Sequence, residues 1–266
     1  MQAVDRLGSQ TPSVSRISME QPWDWLREGW KDVFAAPHVT LAYGLGFVLI
    51  GAMIFVGLNM AGAGSWIAVF AGGFLLVGPM LAVGLYETSR RLETGEPVSL
   101  PAAVFVRTAS PLQLAYFGFA LLFAFLVWAR IAQLLFALFM GGSVTIAEGD
   151  YPDVFEFFAF ATSNPSGLAL LVIGSVFGAA LAFGVYAMSV ITPPLLMEKR
   201  TDIYTAVSTS IRAVVMNRGP MLLWAWIIAI VIAVSIATMF IGLVIAFPLI
   251  GCATWRAYRD LVPQSE

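Results

Sequence analysis

Residues 33–86 read VFAAPHVTLAYGLGFVLIGAMIFVGLNMAGAGSWIAVFAGGFLLVGPMLAVGLY, a run of 54 residues without Asp, Glu, Lys or Arg. A helix needs about 20 mostly apolar residues to cross the hydrocarbon core of a bilayer, so this run is long enough for two crossings. Gly, Ala and Ser are concentrated in its middle, at 59–65. The run therefore predicts a helical hairpin with membrane spans at about 39–58 and 66–86.

Further charge-poor runs follow along the chain. They predict spans at about 113–140, interrupted by one charged residue, and at about 167–192. The 37 residues 219–255 carry no charge. They would make one helix far too long for a bilayer, because each residue adds about 1.5 Å. We interpret them as two short spans, at about 220–237 and 240–256.

The composition supports an integral membrane protein. Apolar residues make up 59% of the 266 and charged residues 11%, with a net charge of −2, whereas soluble domains are about 45–50% apolar and about 25% charged. These values exclude a soluble enzyme, and the chain has no basic footprint for nucleic acid. A single cysteine, Cys252, excludes an intrachain disulfide, and a single histidine, His38, excludes most histidine-built metal sites. We predict no cofactor and no metal.

The basic residues predict the topology. Thirteen of the fourteen Lys and Arg residues fall on one side of a six-span arrangement, and the loops on the other side, 59–65 and 141–166, contain none. The positive-inside rule makes the basic side cytoplasmic. Five spans would place Arg256 and Arg259 outside, so six spans fit better.

Both ends of the chain are therefore predicted to be cytoplasmic. Residues 1–19 are polar and lack the apolar core of a signal peptide, so they predict a disordered cytoplasmic tail. Residues 20–260 form a single transmembrane domain in this interpretation, and 261–266 form a second short tail. The predicted fold class is all-α, a polytopic membrane protein with six transmembrane helices.

A short amphipathic stretch ending in proline precedes each odd-numbered span, at 23–37, 99–111 and 202–220. The even-numbered spans share a proline in their cytoplasmic half. We interpret the chain as three parallel repeats, each an amphipathic helix followed by a helical hairpin. Such helices lie flat where aromatic residues enter the headgroup layer and Lys and Arg meet anionic lipids. The predicted partners are thus the bilayer and anionic lipids at the cytoplasmic face.

Arg130 is the single charged residue within a predicted span, and Gln133 shares its helix face. A charge at membrane depth usually faces a polar interior or marks a substrate path. Two interpretations stay open, a structural bridge to a carboxylate or backbone carbonyls, and an anion or proton path past Arg130 and Gln133.

Two groups at the cytoplasmic face are candidates for anchoring or for docking a membrane protein partner. One is the tryptophan-rich first amphipathic helix, and the other mixes acids and bases after the second span and could clasp the acidic and basic residues at 198–200 or bind a lipid headgroup. Their residues are Trp23, Trp25 and Trp30 in the first group and Glu87, Arg90 and Arg91 in the second.

The sequence shows no catalytic triad, paired intramembrane carboxylates or phosphate-binding loop. We therefore expect a non-enzymatic scaffold, an accessory subunit or a lipid-interacting bundle. The alternative is a small-molecule or ion transporter, and an intramembrane enzyme is the least favoured class.

Three stretches carry a resemblance to a known family. They read DWLREGW at 24–30, GLYETSRRLETG at 84–95 and FPLIGCATWRAYRDL at 247–261. Together they resemble the bacterial integral membrane family known as domain of unknown function 2189, over nearly the whole chain from about residue 20. The resemblance implies a bacterial inner-membrane protein of about six helices and implies no activity.

Overall fold

The computed structural model describes residues 12–140, 154–238 and 240–263. The regular structure within these ranges is helical. The helices are α1 (Gln21–Ala35), α2 (Pro37–Met60), α3 (Trp66–Leu81), α4 (Val83–Thr94), α5 (Leu100–Val104), α6 (Pro111–Met140), α7 (Val154–Ser163), α8 (Pro165–Ser189), α9 (Thr192–Glu198), α10 (Ile203–Met216), α11 (Arg218–Ala237) and α12 (Leu243–Leu261).

Within the part of the chain that the structure describes, five helical segments are long and apolar enough to cross a membrane. They coincide with the first five spans predicted from the sequence. Two of them contain a break, since α3 continues into α4 and α8 continues into α9. The segments are Pro37–Met60, Trp66–Thr94, Pro111–Met140, Pro165–Glu198 and Arg218–Ala237.

The predicted sixth span, at 240–256, is not among these five segments. Its helix, α12, has 19 residues and carries Arg256, Arg259 and Asp260 near its C-terminal end. Those charges leave too short an apolar stretch for a full crossing. Six spans are therefore not confirmed.

The depth of the α11–α12 turn gives a second reason. A side chain on Gly51 of α2 would face Phe240 in this turn, and α2 continues beyond that level to Met60. Nine further residues extend a helix by about 13 Å. The turn thus ends well short of the far end of α2, and α12 lies inside the bundle beside α2.

Prolines interrupt two of the crossing segments, as expected for residues that lack an amide hydrogen. The α3–α4 break lies at Ala82, three residues after Pro79, and α9 begins with two prolines in its first turn. Tyr43 donates a hydrogen bond of 2.8 Å to the carbonyl of Leu81 beside the first break. The short helices α4 and α9 follow these breaks and carry the acidic side chains of the site described below.

The three-fold repeat is not confirmed, because its second amphipathic helix is much shorter than predicted. Only α5, five residues long, forms in the stretch 99–111. The backbone amides of Ala109 and Ser110 instead donate to the carbonyls of Met197 and Leu196, at 2.8 and 3.1 Å. Hydrogen bonds to this distant segment thus replace those of a longer helix.

One end of the bundle is closed by a layer of short helices that we call the basic face. It comprises α1, α4, α9, α10 and residues 253–261 of α12. Helix α1 packs lengthwise on α12, where a Cβ on Gly29 would lie 2.8 Å from Ala253. This close contact requires glycine at position 29.

Residues 12–19 belong to the predicted disordered tail, yet their backbone is hydrogen-bonded to the basic face. The amide of Ser15 donates to the carbonyl of Leu261 at 3.0 Å. Asn217 accepts from the amide of Ile17 at 3.0 Å and donates to the carbonyl of Ser15 at 2.9 Å. One side chain thus satisfies two backbone groups and holds the segment in place. Residues 1–11 and 264–266 lie outside the described residues.

Candidate functional site

A cavity of about 800 Å³ lies between two groups of membrane helices. Helices α3, α6 and α8 pack on one another, and α11 packs on α12. The space between the groups is lined mainly by α3, α6, α8, α11 and α12. Phe183 and Trp226 line it and are exposed on the bundle surface, so the cavity reaches the membrane-facing side.

The walls of the cavity are apolar, and small residues keep it open. Gly78 of α3 lines it and has no atom within 4 Å of the position that a Cβ would occupy. Ala225 and Ala229 face it from α11. On α8, Gly178 lines the cavity and also faces the Trp128 ring of α6, 3.1 Å from a hypothetical Cβ. Small residues therefore serve both helix packing and the cavity.

The polar groups at the basic end of the cavity differ in their hydrogen bonding. Thr254 donates to the carbonyl of Ile250 at 2.7 Å, within its own helix. Tyr186 donates to the carbonyl of Met221 at 2.8 Å. Tyr86 is 2% exposed, lines the cavity and makes no side-chain hydrogen bond to any residue that the structure describes.

An ionic network covers this end of the cavity, and its first part lies on α4. The buried carboxylate of Glu87 accepts hydrogen bonds from Arg90 at 2.8 and 3.0 Å and from Arg91 at 2.6 Å. Arg90 also donates to Glu96 at 2.9 Å, which lowers the pKa of the Glu96 carboxyl. Glu87 on α4 and Glu96 just after it thus balance Arg90 and Arg91. The grouping of Glu87, Arg90 and Arg91 follows from their i, i+3 and i, i+4 spacing.

The second part of the network joins α4, α9 and α12 through Arg259. Its guanidinium lies 3.0 Å from Glu93 and 2.7 Å from Glu198, and 4.7 Å from the ring centre of Trp255. Trp255 donates to Glu93 at 2.9 Å and Tyr258 to Glu198 at 2.6 Å. Burial, and then the Glu198 carboxylate, raise the pKa of Tyr258, so it stays a donor at neutral pH. Arg259 thus connects the two acidic segments whose mutual clasp the sequence suggested.

The third part joins α1 to α12. Arg256 donates to both carboxylate oxygens of Asp32, at 2.6 and 3.0 Å, in a bidentate pair. Asp260 accepts from Trp25 and from Gln21, each at 2.7 Å. These contacts hold α1 across the basic face.

The three tryptophans of α1 do not act together. Trp25 is buried and packs edge-on against Trp224, with ring centres 5.5 Å apart. Trp23 and Trp30 are 53% and 48% exposed, and Trp30 lies against the exposed Phe34. The expected docking helix thus has two apolar faces, and one of them belongs to the core.

Arg130 and Gln133 lie side by side as their spacing predicts, with a hydrogen bond of 2.9 Å from Arg130 to Gln133. Arg130 is exposed on the surface of α6 and lines a smaller hollow, of about 360 Å³, with Trp66 and Phe70. Those residues begin α3, so Arg130 lies toward the end opposite the basic face. Gln133 also lines the large cavity, whereas Arg130 does not.

The ionic network holds the helices of the basic face together, and the apolar cavity offers space for a ligand. Within the described ranges, no group of three His, Cys, Asp or Glu side chains is placed to hold a metal ion. Sequence reasoning missed the cavity, the Asp32–Arg256 pair and the role of Arg259. The signal for the last two was the mixture of acids and bases in WRAYRD at 255–260, which contributed only to the family resemblance.

Comparison with known proteins shows that part of the chain matches a known family. Residues 67–198 match the model of a family described as "Predicted integral membrane protein (DUF2189)". The match runs from α3 through α9, and so includes Tyr86, Glu87 and Glu198 but neither α1 nor α12. It is narrower than the near-complete resemblance expected from the sequence. No curated protein and no solved structure matches the chain. Residues 67–198, just under half of the chain, are thus similar to the DUF2189 family of predicted integral membrane proteins.

Proposed function

We propose that the protein is a non-enzymatic lipid-binding bundle that holds an amphiphile with a long apolar chain in the cavity between α3, α8, α11 and α12. The observation that supports this most strongly is the size of the cavity, about 800 Å³ with apolar walls. Sites for small molecules are typically about 300–1,000 Å³. A void of this size without contents would lose the dispersion contacts of all the side chains that line it.

The position of the cavity favours an amphiphile over a purely apolar ligand. It runs from Ser65 and Trp66, at the start of α3, to Tyr86 and Thr254 beneath the ionic network. An apolar chain can occupy the length of the walls, while a polar group lies at the basic end. Its opening beside Phe183 and Trp226 gives lipids of the bilayer access.

Filling the cavity should displace the lipid. Gly78→Phe places a large ring in the cavity from a position with open space around its Cβ. The matched control is Gly184→Phe on α8, where a Cβ also meets nothing within 4 Å and the residue is exposed outside the cavity wall. Native mass spectrometry of protein extracted with its own lipids should show retained lipid on the wild type and on Gly184→Phe. We expect a several-fold loss on Gly78→Phe.

Two outcomes contradict the lipid-binding proposal. One is a wild-type protein without any retained lipid. The other is a Gly78→Phe variant that retains the same lipid in the same amount as the Gly184→Phe control.

The exposed side of α1 supports contact with the inner leaflet. Trp23, Trp30 and Phe34 are exposed there, with Arg27 and Lys31 alongside. Aromatic and basic side chains together fit the headgroup layer and anionic lipids. The same face would be the docking surface of a scaffold. The transporter alternative gains no support from Arg130, because this residue lies outside the large cavity.

We infer that the basic face is the cytoplasmic side of a bacterial inner membrane, because it gathers Lys and Arg residues from α1, α4, α10 and α12. Alkaline phosphatase fused after Gly64 should be active, since this enzyme needs the outer compartment. Fusions after Arg91, Arg200 and Glu266 should be inactive. An active fusion at Glu266 would contradict the position of the C-terminus.

A further inference from the structure

We propose that the hydroxyl of Tyr86 donates a hydrogen bond to an ester carbonyl of a glycerolipid in the cavity, an assignment that rests on the lipid-binding function proposed above. Tyr86 combines three properties. Its side chain is 2% exposed, it lines the cavity, and its hydroxyl has no hydrogen-bond partner among the residues described.

A buried hydroxyl without a partner is costly, which is why buried tyrosines usually have one. The hydroxyls around Tyr86 are already engaged, Thr254 with Ile250 and Tyr186 with Met221. Among the described hydroxyls that line this end of the cavity, the donor of Tyr86 is therefore left for a ligand.

The charges nearby favour a neutral acceptor. The carboxylates of Glu87 on α4 and of Glu96, just after this helix, are matched by the guanidiniums of Arg90 and Arg91. These two bases thus offer no excess positive charge that would recognise a phosphate. A neutral carbonyl needs a single donor, and Tyr86 supplies one.

The depth of Tyr86 fits an ester group. It precedes Glu87, the first charged residue after the 54-residue apolar run. It thus lies at the border between the ionic layer and the apolar walls. The ester carbonyls of a glycerolipid occupy the corresponding border, between the headgroup and the acyl chains.

The test compares two lipids that differ only in this carbonyl. The protein is placed in bilayer nanodiscs that contain equal amounts of diacyl phosphatidylethanolamine and its dialkyl ether analogue with the same chains. Native mass spectrometry after release then gives the ratio of the two retained lipids. A net hydrogen bond predicts about a 2- to 10-fold enrichment of the ester lipid on the wild type.

Tyr86→Phe should reduce this ratio to about 1 while still retaining lipid, because it removes the donor and keeps the ring. It should not lower the melting temperature of the protein, since no internal hydrogen bond is lost. Tyr43→Phe is the matched control. Tyr43 is not part of the cavity lining, its hydroxyl donates to the carbonyl of Leu81, and its replacement should keep the enrichment.

Equal retention of the two lipids by the wild type would overturn the assignment, whether or not any variant folds. Enrichment that survives in Tyr86→Phe would overturn it too. Neither result contradicts the lipid-binding proposal. That proposal fails instead if Gly78→Phe and Gly184→Phe retain equal amounts of lipid.

Discussion

Arg256→Leu should destabilise the protein by about 3–5 kcal/mol, the cost of leaving one member of a buried ion pair without its partner. The partner is Asp32, which is 5% exposed and receives two hydrogen bonds from the Arg256 guanidinium. The pair also joins α1 to α12, so the loss should loosen the whole basic face. Denaturant unfolding in a mild detergent, followed by tryptophan fluorescence, measures the change because Trp25 and Trp255 are buried in α1 and α12, the helices that this pair joins.

The matched control is Arg27→Leu on α1, the helix that carries Asp32. Arg27 pairs with Asp24 at 2.7 Å, but their side chains are 67% and 45% exposed. Exposed pairs contribute about 0–1 kcal/mol. The double variant Asp32→Leu/Arg256→Leu should recover much of the stability, because no unpaired charge stays buried. Equal effects of Arg256→Leu and Arg27→Leu would contradict the role assigned to the Asp32–Arg256 pair.

Gly44→Leu should prevent α12 from docking on α2. A Cβ at position 44 would lie 2.3 Å from the backbone oxygen of Val244, which cannot move without shifting the start of α12. Overpacking of this kind typically costs about 1–3 kcal/mol and more when backbone blocks the new side chain. We expect a large fall in melting temperature, measured by circular dichroism in detergent.

Gly46→Leu provides the comparison, two residues along the same helix. A Cβ there meets no atom within 4 Å, so the melting temperature should stay close to that of the wild type. Both substitutions remove a glycine from α2 and add the same side chain, so the difference between them isolates the contact with α12. Similar melting temperatures would show that α12 does not pack on α2 at Gly44.

The crossing segments could be predicted from the sequence because hydropathy is a local property. A charge-free run of 54 residues around one Gly-rich turn permits few alternatives to a hairpin. The last apolar run, at 219–255, was ambiguous because hydropathy alone does not say what an apolar helix packs against. Its second half could cross the membrane or pack inside the bundle, and its contacts with α2 through Val244 and Phe240 join residues far apart in the sequence.

The repeat shows where local pattern misleads. The stretch at 99–111 has the apolar spacing of a helix, but the amides of Ala109 and Ser110 pair with a segment nearly ninety residues away. The tryptophan-rich helix α1 also could not be assigned from local pattern alone. The spacing of its apolar residues predicts a helix, but the burial of Trp25 depends on its contacts with Trp224 and Asp260, which lie far away in the sequence.

The candidate site was the hardest part to predict. The local pairs on α4 follow from spacing, whereas Arg259 meets Glu93 across 166 positions. The cavity arises because α11 packs on α12 while α3 and α8 pack on α6. A gap between helices has no signature in the residues that line it, since Gly and Ala are equally common where membrane helices touch.

The most direct test of lipid binding is a cryo-electron microscopy structure of the protein in nanodiscs formed from its own membrane. We expect an elongated density between α3, α8, α11 and α12 whose polar end lies within about 3 Å of the Tyr86 hydroxyl. A structure in which α11 packs directly against α3 and α8, so that the cavity is closed, would contradict the account.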